Sequence, residues 1–150
     1  YTPSKGGPAD SVIGFDRDDF HAALAETEYL VLASPLTETT RGLIDAAALA
    51  TLGPDAYLVN IARGELVETE ALVAAIRSQS LRGAALDVTD PEPLPPEHPL
   101  WTFENVFITP HNAGHSPEHW SRLADIVAEN VRRLDETGDV ETLENLVAAP

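Results

Sequence analysis

Four residues of this sequence carry groups that could do chemistry together: Arg63, Asp87, Glu92 and His111. Arg63 follows the apolar run AYLVNI, Asp87 stands at the end of GAALDV with Glu92 a short way on, and His111 follows VFIT. A guanidinium can hold a carboxylate through two parallel hydrogen bonds, which a lysine ammonium cannot do. An imidazole can give a proton to a carbonyl oxygen as hydride arrives, and take it back in the reverse direction. A carboxylate such as Glu92, accepting from one ring nitrogen, fixes the tautomer and favours the charged, acid form of the ring. The set therefore suits reduction of a carbonyl that lies beside a carboxylate, with Asp87 left for a cofactor. Taken singly, each residue has an ordinary explanation as a solvated strand end, a salt-bridge partner or a polar loop residue. Their common placement is what joins them.

That placement depends on the elements. Tyr29–Ala33, Ala56–Ile61, Gly83–Val88 and Val106–Thr109 are short and nearly continuous apolar runs, which predicts strands buried on both faces. Helical patterns lie between them, and the alternation of strand and helix predicts an α/β fold with a parallel sheet. Asp16 is positioned to cap a first helix, with Phe15 and Phe20 at hydrophobic-staple spacing, Asp19 in the first turn, and Phe20 and Leu24 facing the sheet. Asp45 begins a second helix that runs to Leu52 and closes at Gly53-Pro54. Thr69–Arg77 places Leu72, Val73 and Ile76 on one helical face. Ser116-Pro117-Glu118 reads as a cap, an N1 proline and a first-turn acid. It opens a long amphipathic helix through Trp120, Leu123, Val127, Val131 and Leu134, expected to pack along the sheet. In an open parallel sheet, ligands collect beyond the carboxyl ends of the strands, and all four chemical residues fall there.

Composition narrows the classes. The 150 residues are 43% hydrophobic, enough for one core. No apolar run is long enough for a membrane helix, and no secretory pattern opens the sequence, so the expectation is a cytoplasmic protein. A formal charge of −16 argues against binding to nucleic acid or to an anionic membrane, and points to small-molecule partners. With no cysteine, thiolate chemistry and cysteine-based metal sites are excluded. His115 and His119 have the spacing of two helical ligands but lack a third, so no metal is expected. His98 reads as structural, with Leu100 and Trp101 as apolar plugs of the loop Pro91–Pro99, and His21 reads as exposed. Thr2–Pro8 reads as a leading loop.

Four segments, SPLTETTRGLID, VNIARGELVETEAL, GAALDVTDPEPLPPEHPLW and NVFITPHNAGHSPE, resemble in order and separation those of the D-isomer-specific 2-hydroxyacid dehydrogenases, especially the glyoxylate and hydroxypyruvate reductase branch. The match runs from about Tyr29 to Val147. The resemblance implies Arg63 as the clamp on the substrate carboxylate and carbonyl, Glu92 and His111 as the acid/base dyad, and Asp87 as the residue holding the nicotinamide carboxamide. It also implies cofactor contacts near Pro35, Ala62 and Gly114. Formate dehydrogenases of the superfamily pair the histidine with glutamine, so Glu92 favours a hydroxyacid enzyme. Glu68 replaces a frequent Asp and is a weaker helix cap.

One departure is larger. No G-x-G-x-x-G occurs, and that loop would hold the dinucleotide pyrophosphate on a helix N-terminus. The expectation is therefore the C-terminal half of a Rossmann-like NAD(P)-binding domain over residues 1–137. Residues 138–150 would form a tail that packs on a substrate domain outside this sequence. The implied reaction is hydride transfer between NAD or NADP and a small 2-oxo acid or D-2-hydroxy acid, by an enzyme that is homodimeric when complete and with little activity in this segment alone. The other readings are a nonenzymatic nucleotide-sensing module and an inactive remnant of the same family.

Overall fold

The computed structural model describes residues 17–145. Asp16, Phe15, the Thr2–Pro8 loop and the last five residues lie outside that range. The chain divides into two compact units, residues 1–113 and 114–150.

The first unit is α/β. Helix α1 (Arg17–Ala25) precedes strand β1 (Tyr29–Leu32), followed by α2 (Ala46–Leu52), β2 (Tyr57–Asn60), α3 (Thr69–Arg77), β3 (Gly83–Leu86) and β4 (Val106–Ile108). The four strands form one parallel sheet in the order β1-β2-β3-β4. Asp45 caps α2 as its sequence requires, its carboxylate accepting from the Ala48 N–H at 2.8 Å, and Gly53 ends the helix at φ +83°. Leu72, Val73 and Ile76 of α3 are buried, while Glu68 makes no side-chain cap bond.

The expectation of strands buried on both faces is corrected by this topology. Leu32, Leu58, Ala84 and Leu86 pack with Leu24, Leu49, Leu72, Val73 and Ile76 in one core. On the opposite face Tyr29, Val31 and Phe107 are 66%, 56% and 69% exposed. The cause is the strand order. Each crossover steps across the sheet in the same direction, and crossovers of one hand then leave their helices on one face. Covering the second face takes a reversal of strand order, which the described residues do not contain. His21 is also corrected: it is half-buried, with its Nδ1 3.0 Å from the Thr51 hydroxyl.

The second unit holds α4 (His119–Thr137). Ser116 does not cap it through its side chain; Glu118 occupies the cap position without a side-chain bond, and the His119 N–H donates to the Ser116 carbonyl. No residue of α4 is buried within this unit, and its apolar stripe runs through Trp120, Leu123, Val127, Val131 and Leu134. Gly138, at φ +65°, ends the helix in the left-handed region that favours glycine. The chain then folds back: Arg133 joins Glu129 and Glu144, and Asn130 exchanges hydrogen bonds with the Glu144 backbone. The two guanidiniums of Arg132 and Arg133 hold the Glu129 carboxyl down to about 2.

Candidate active site

The loops after β2, β3 and β4 carry the chemical residues, and each is fixed by a different device. The loop after β2 is tied to the segment after β1 by a short parallel bridge between Ile44 and Val67. Gly64, in the turn Gly64–Leu66, lies flat against the loop after β3, where a Cβ would overlap the Thr89 carbonyl and the Asp90 nitrogen. The Thr69 hydroxyl donates to the Asp90 carbonyl at 2.7 Å and closes the same contact.

Asp87 is buried at the end of β3 and faces three donors. Its Oδ1 accepts from the Thr109 hydroxyl at 2.5 Å and the Asn112 N–H at 2.9 Å, and its Oδ2 accepts from the Ala113 N–H at 2.8 Å. Burial pushes this carboxyl up, but the Thr109, Ala113 and Asn112 donors outweigh it and hold the group below its usual value. The bonds bracket His111, whose φ of +52° lies in the left-handed region a side chain seldom adopts. A carboxylate has about four acceptor positions, so Asp87 keeps one for a further donor.

His111 Nδ1 lies 2.6 Å from Glu92 Oε1, and the Thr89 N–H donates to Glu92 Oε2 at 3.3 Å. The His111 bond holds the Glu92 carboxyl below its usual value. Glu92 is thus ionised at neutral pH and can only accept, so Nδ1 carries the proton and Nε2 is left for exchange. Beside the pair lies a cavity of about 390 Å³ walled by Pro93, Leu94, Trp101, Ile108 and Pro110, with Asp87, Glu92 and His111 as its ionisable groups. Trp101 is half-exposed rather than a buried plug; its Nε1–H donates to the Pro95 carbonyl while Leu100 supplies the apolar anchor. His98 accepts from the Leu100 N–H, the structural part its sequence suggested.

Of the other expected positions, Ala62 is buried and Pro35 is exposed, its carbonyl accepting from Thr40. Arg63 is exposed on the same sheet edge, its Nη1 donating to the Ala62 carbonyl at 2.6 Å, and is not among the residues lining the Glu92–His111 cavity. Gly114 belongs to the second unit. Among the described residues no cluster of His, Asp and Glu could hold a metal ion.

Asn60 and Gly64 were not singled out by their sequence. Asn60 betrays itself only as a polar residue at a core-facing position of an otherwise apolar run, and Gly64 only as a glycine beside a candidate arginine.

Part of the acid limb of stability follows from the two depressed carboxyls of the site. Their ordinary values are 3.8 for Asp87 and 4.5 for Glu92. Because the folded values are lower, the stabilisation is complete above those values and is lost as pH falls through the folded ones. Thermal melting from pH 7 to pH 2 is expected to be flat to about pH 5 and to fall in the acid range. Asp87→Asn should remove part of that acid dependence; an unchanged acid limb would assign it to other carboxyls.

Residues 1–113 match the D-isomer specific 2-hydroxyacid dehydrogenase, NAD binding domain. The chain is 42% identical over 113 residues to glyoxylate reductase of Thermofilum pendens, covering 75% of this chain and 33% of that protein. It is 44% identical to (S)-sulfolactate dehydrogenase of Chromohalobacter salexigens, covering 73% and 36%. A crystal structure of a D-isomer specific 2-hydroxyacid dehydrogenase from Xanthobacter autotrophicus Py2, in complex with NADPH and MES, superposes with a TM-score of 0.77 at 40% identity, covering 88% of this chain and 52% of that one. The chain belongs to the D-isomer specific 2-hydroxyacid dehydrogenase family, and its sheet is that of the family's Rossmann-like NAD-binding domain. It spans between a third and about half of the length of these relatives. No helix among the described residues is long and apolar enough to cross a membrane.

Proposed function

We propose that the chain is the proton-transfer side of an NAD(P)-dependent D-2-hydroxyacid dehydrogenase that interconverts a small 2-oxo acid, of the glyoxylate or hydroxypyruvate type, with its D-2-hydroxy acid. The observation that carries this reading is the 2.6 Å contact of His111 with Glu92 at the mouth of a mostly apolar cavity. Bound nicotinamide would supply or accept the hydride at the substrate's C2. His111 gives a proton from Nε2 to the carbonyl oxygen during reduction and takes it from the hydroxyl during oxidation. Glu92 holds the ring in the tautomer this needs. Arg63 swings from the Ala62 carbonyl to grip the substrate carboxylate. The open acceptor position of Asp87 suits a carboxamide N–H, and Pro35 and Ala62 border the dinucleotide.

We further place the enzyme in the cytoplasm as a homodimer, with residues 138–150 serving as a tail toward a substrate domain. The 150 residues alone are proposed to turn over little, since they contain no glycine-rich pyrophosphate loop. The test is oxidation of NADH and NADPH by the full-length protein with glyoxylate, hydroxypyruvate and related 2-oxo acids. Turnover with one of them supports the reading. Cofactor binding without turnover on any of them would replace it with a nucleotide-sensing module.

A further inference from the structure

Asn60 is the last residue of β2 and is 1% exposed, a polar side chain enclosed by the core. Its amide is used at both ends. Oδ1 accepts from the Ala62 N–H at 3.0 Å, and Nδ2 donates to the Arg63 carbonyl at 2.8 Å. A side chain of this length that both accepts and donates closes the strand end onto the next three residues; aspartate lacks the donor and leucine lacks both. The backbone leaves this closure extended at Arg63, with φ −147° and ψ 143°, and then enters the turn at Gly64. Burial makes the arrangement costly to lose, because the Ala62 N–H would give up its acceptor inside the protein and the Arg63 carbonyl would keep only the Leu66 N–H at 3.3 Å.

We infer that Asn60 is a positioning residue for Arg63: its buried amide sets the direction in which the guanidinium leaves the sheet edge, and thereby sets affinity for the substrate carboxylate. The inference rests on the reading of Arg63 as the carboxylate clamp. Asn60 touches neither substrate nor cofactor and acts only through the Ala62–Arg63 peptide. Its loss therefore falls on the oxo acid and spares the dinucleotide.

The experiment is a double-mutant cycle in the full-length enzyme, with KM for glyoxylate, kcat, and the Kd for NADPH from fluorescence. Asn60→Ser is expected to raise KM about tenfold, the equivalent of about one hydrogen bond, with the NADPH Kd unchanged. Asn60→Asp should raise KM at least as much, since it keeps the acceptor but sets a carboxylate oxygen where the donor was, and it carries the test if the serine variant does not fold. In an Arg63→Ala background either change should add nothing, since the residue it positions is gone. A raised KM for Arg63→Ala with an unchanged KM for both Asn60 variants would overturn the inference alone. Effects that simply add, or that appear only as a lower Tm, would reduce Asn60 to a structural role. An Arg63→Ala enzyme with unchanged KM would overturn the clamp reading and this inference together.

Discussion

Replacing His111 by alanine in the full-length protein is expected to lower kcat of the proposed reaction about 10³-fold, the middle of the range that a positioned acid or base contributes. Nothing else in the cavity takes its place. Glu92 is ionised and Asp87 is already held by three donors, so neither can supply a proton near neutral pH. Cofactor affinity should change little, because the bonds that shape the 109–113 turn run from Asp87 to Thr109, Asn112 and Ala113 and not to the ring. Glu92→Gln should be milder, about 10- to 100-fold, since the amide can still accept from Nδ1–H but brings no charge. Stopped-flow measurement of NADH or NADPH oxidation separates the chemical step from product release. A His111→Ala enzyme within a few-fold of the parent would remove the imidazole from the reaction.

Gly64→Ala is expected to be the most damaging change outside the reacting groups. Gly64 has no positive φ to require glycine, so the reason is space alone: an added methyl would overlap the backbone of Thr89 and Asp90, and backbone cannot rotate aside as a side-chain tip can. The loops bearing Arg63 and Glu92 would have to part. Overpacking of this kind costs about 3 kcal/mol or more, to be read from urea denaturation, and activity should fall with it. Alanine at this position with parental stability and kcat/KM would mean that the two loops are free to separate without consequence.

Much of this was legible in the sequence because it rests on local signals. Four apolar runs marked four strands, and each observed strand lies inside its expected run. Asp45 followed by an alanine- and leucine-rich segment marked α2, and Leu72, Val73 and Ile76 marked the inner face of α3. Glu92 and His111 could be paired because strand ends of one parallel sheet converge on one edge, whatever the distance along the chain. What was hidden depends on strand order and on close approach. A continuous apolar run looks the same whether one face or two are covered, so Val31 and Phe107 gave no warning of their exposure. Ser116 met every local rule for a cap, yet the helix begins three residues later. Asp87 illustrates a third limit. Its position suggested a cofactor contact, but that its carboxylate organises the His111 turn depends on donors more than twenty residues away.

The uneven covering of the sheet also has a thermodynamic reading. Unfolding raises the heat capacity chiefly by wetting apolar surface that the folded state kept dry. Tyr29, Val31 and Phe107 are already wet on the open face of the sheet, so their exposure on unfolding adds little. For these 150 residues the increment should fall short of the about 12–15 cal/mol/K per residue usual for globular chains. A small increment flattens the dependence of stability on temperature. Differential scanning calorimetry of the chain should therefore show a low, broad endotherm and a shallow stability curve, and a partner that covers the open sheet face should steepen both.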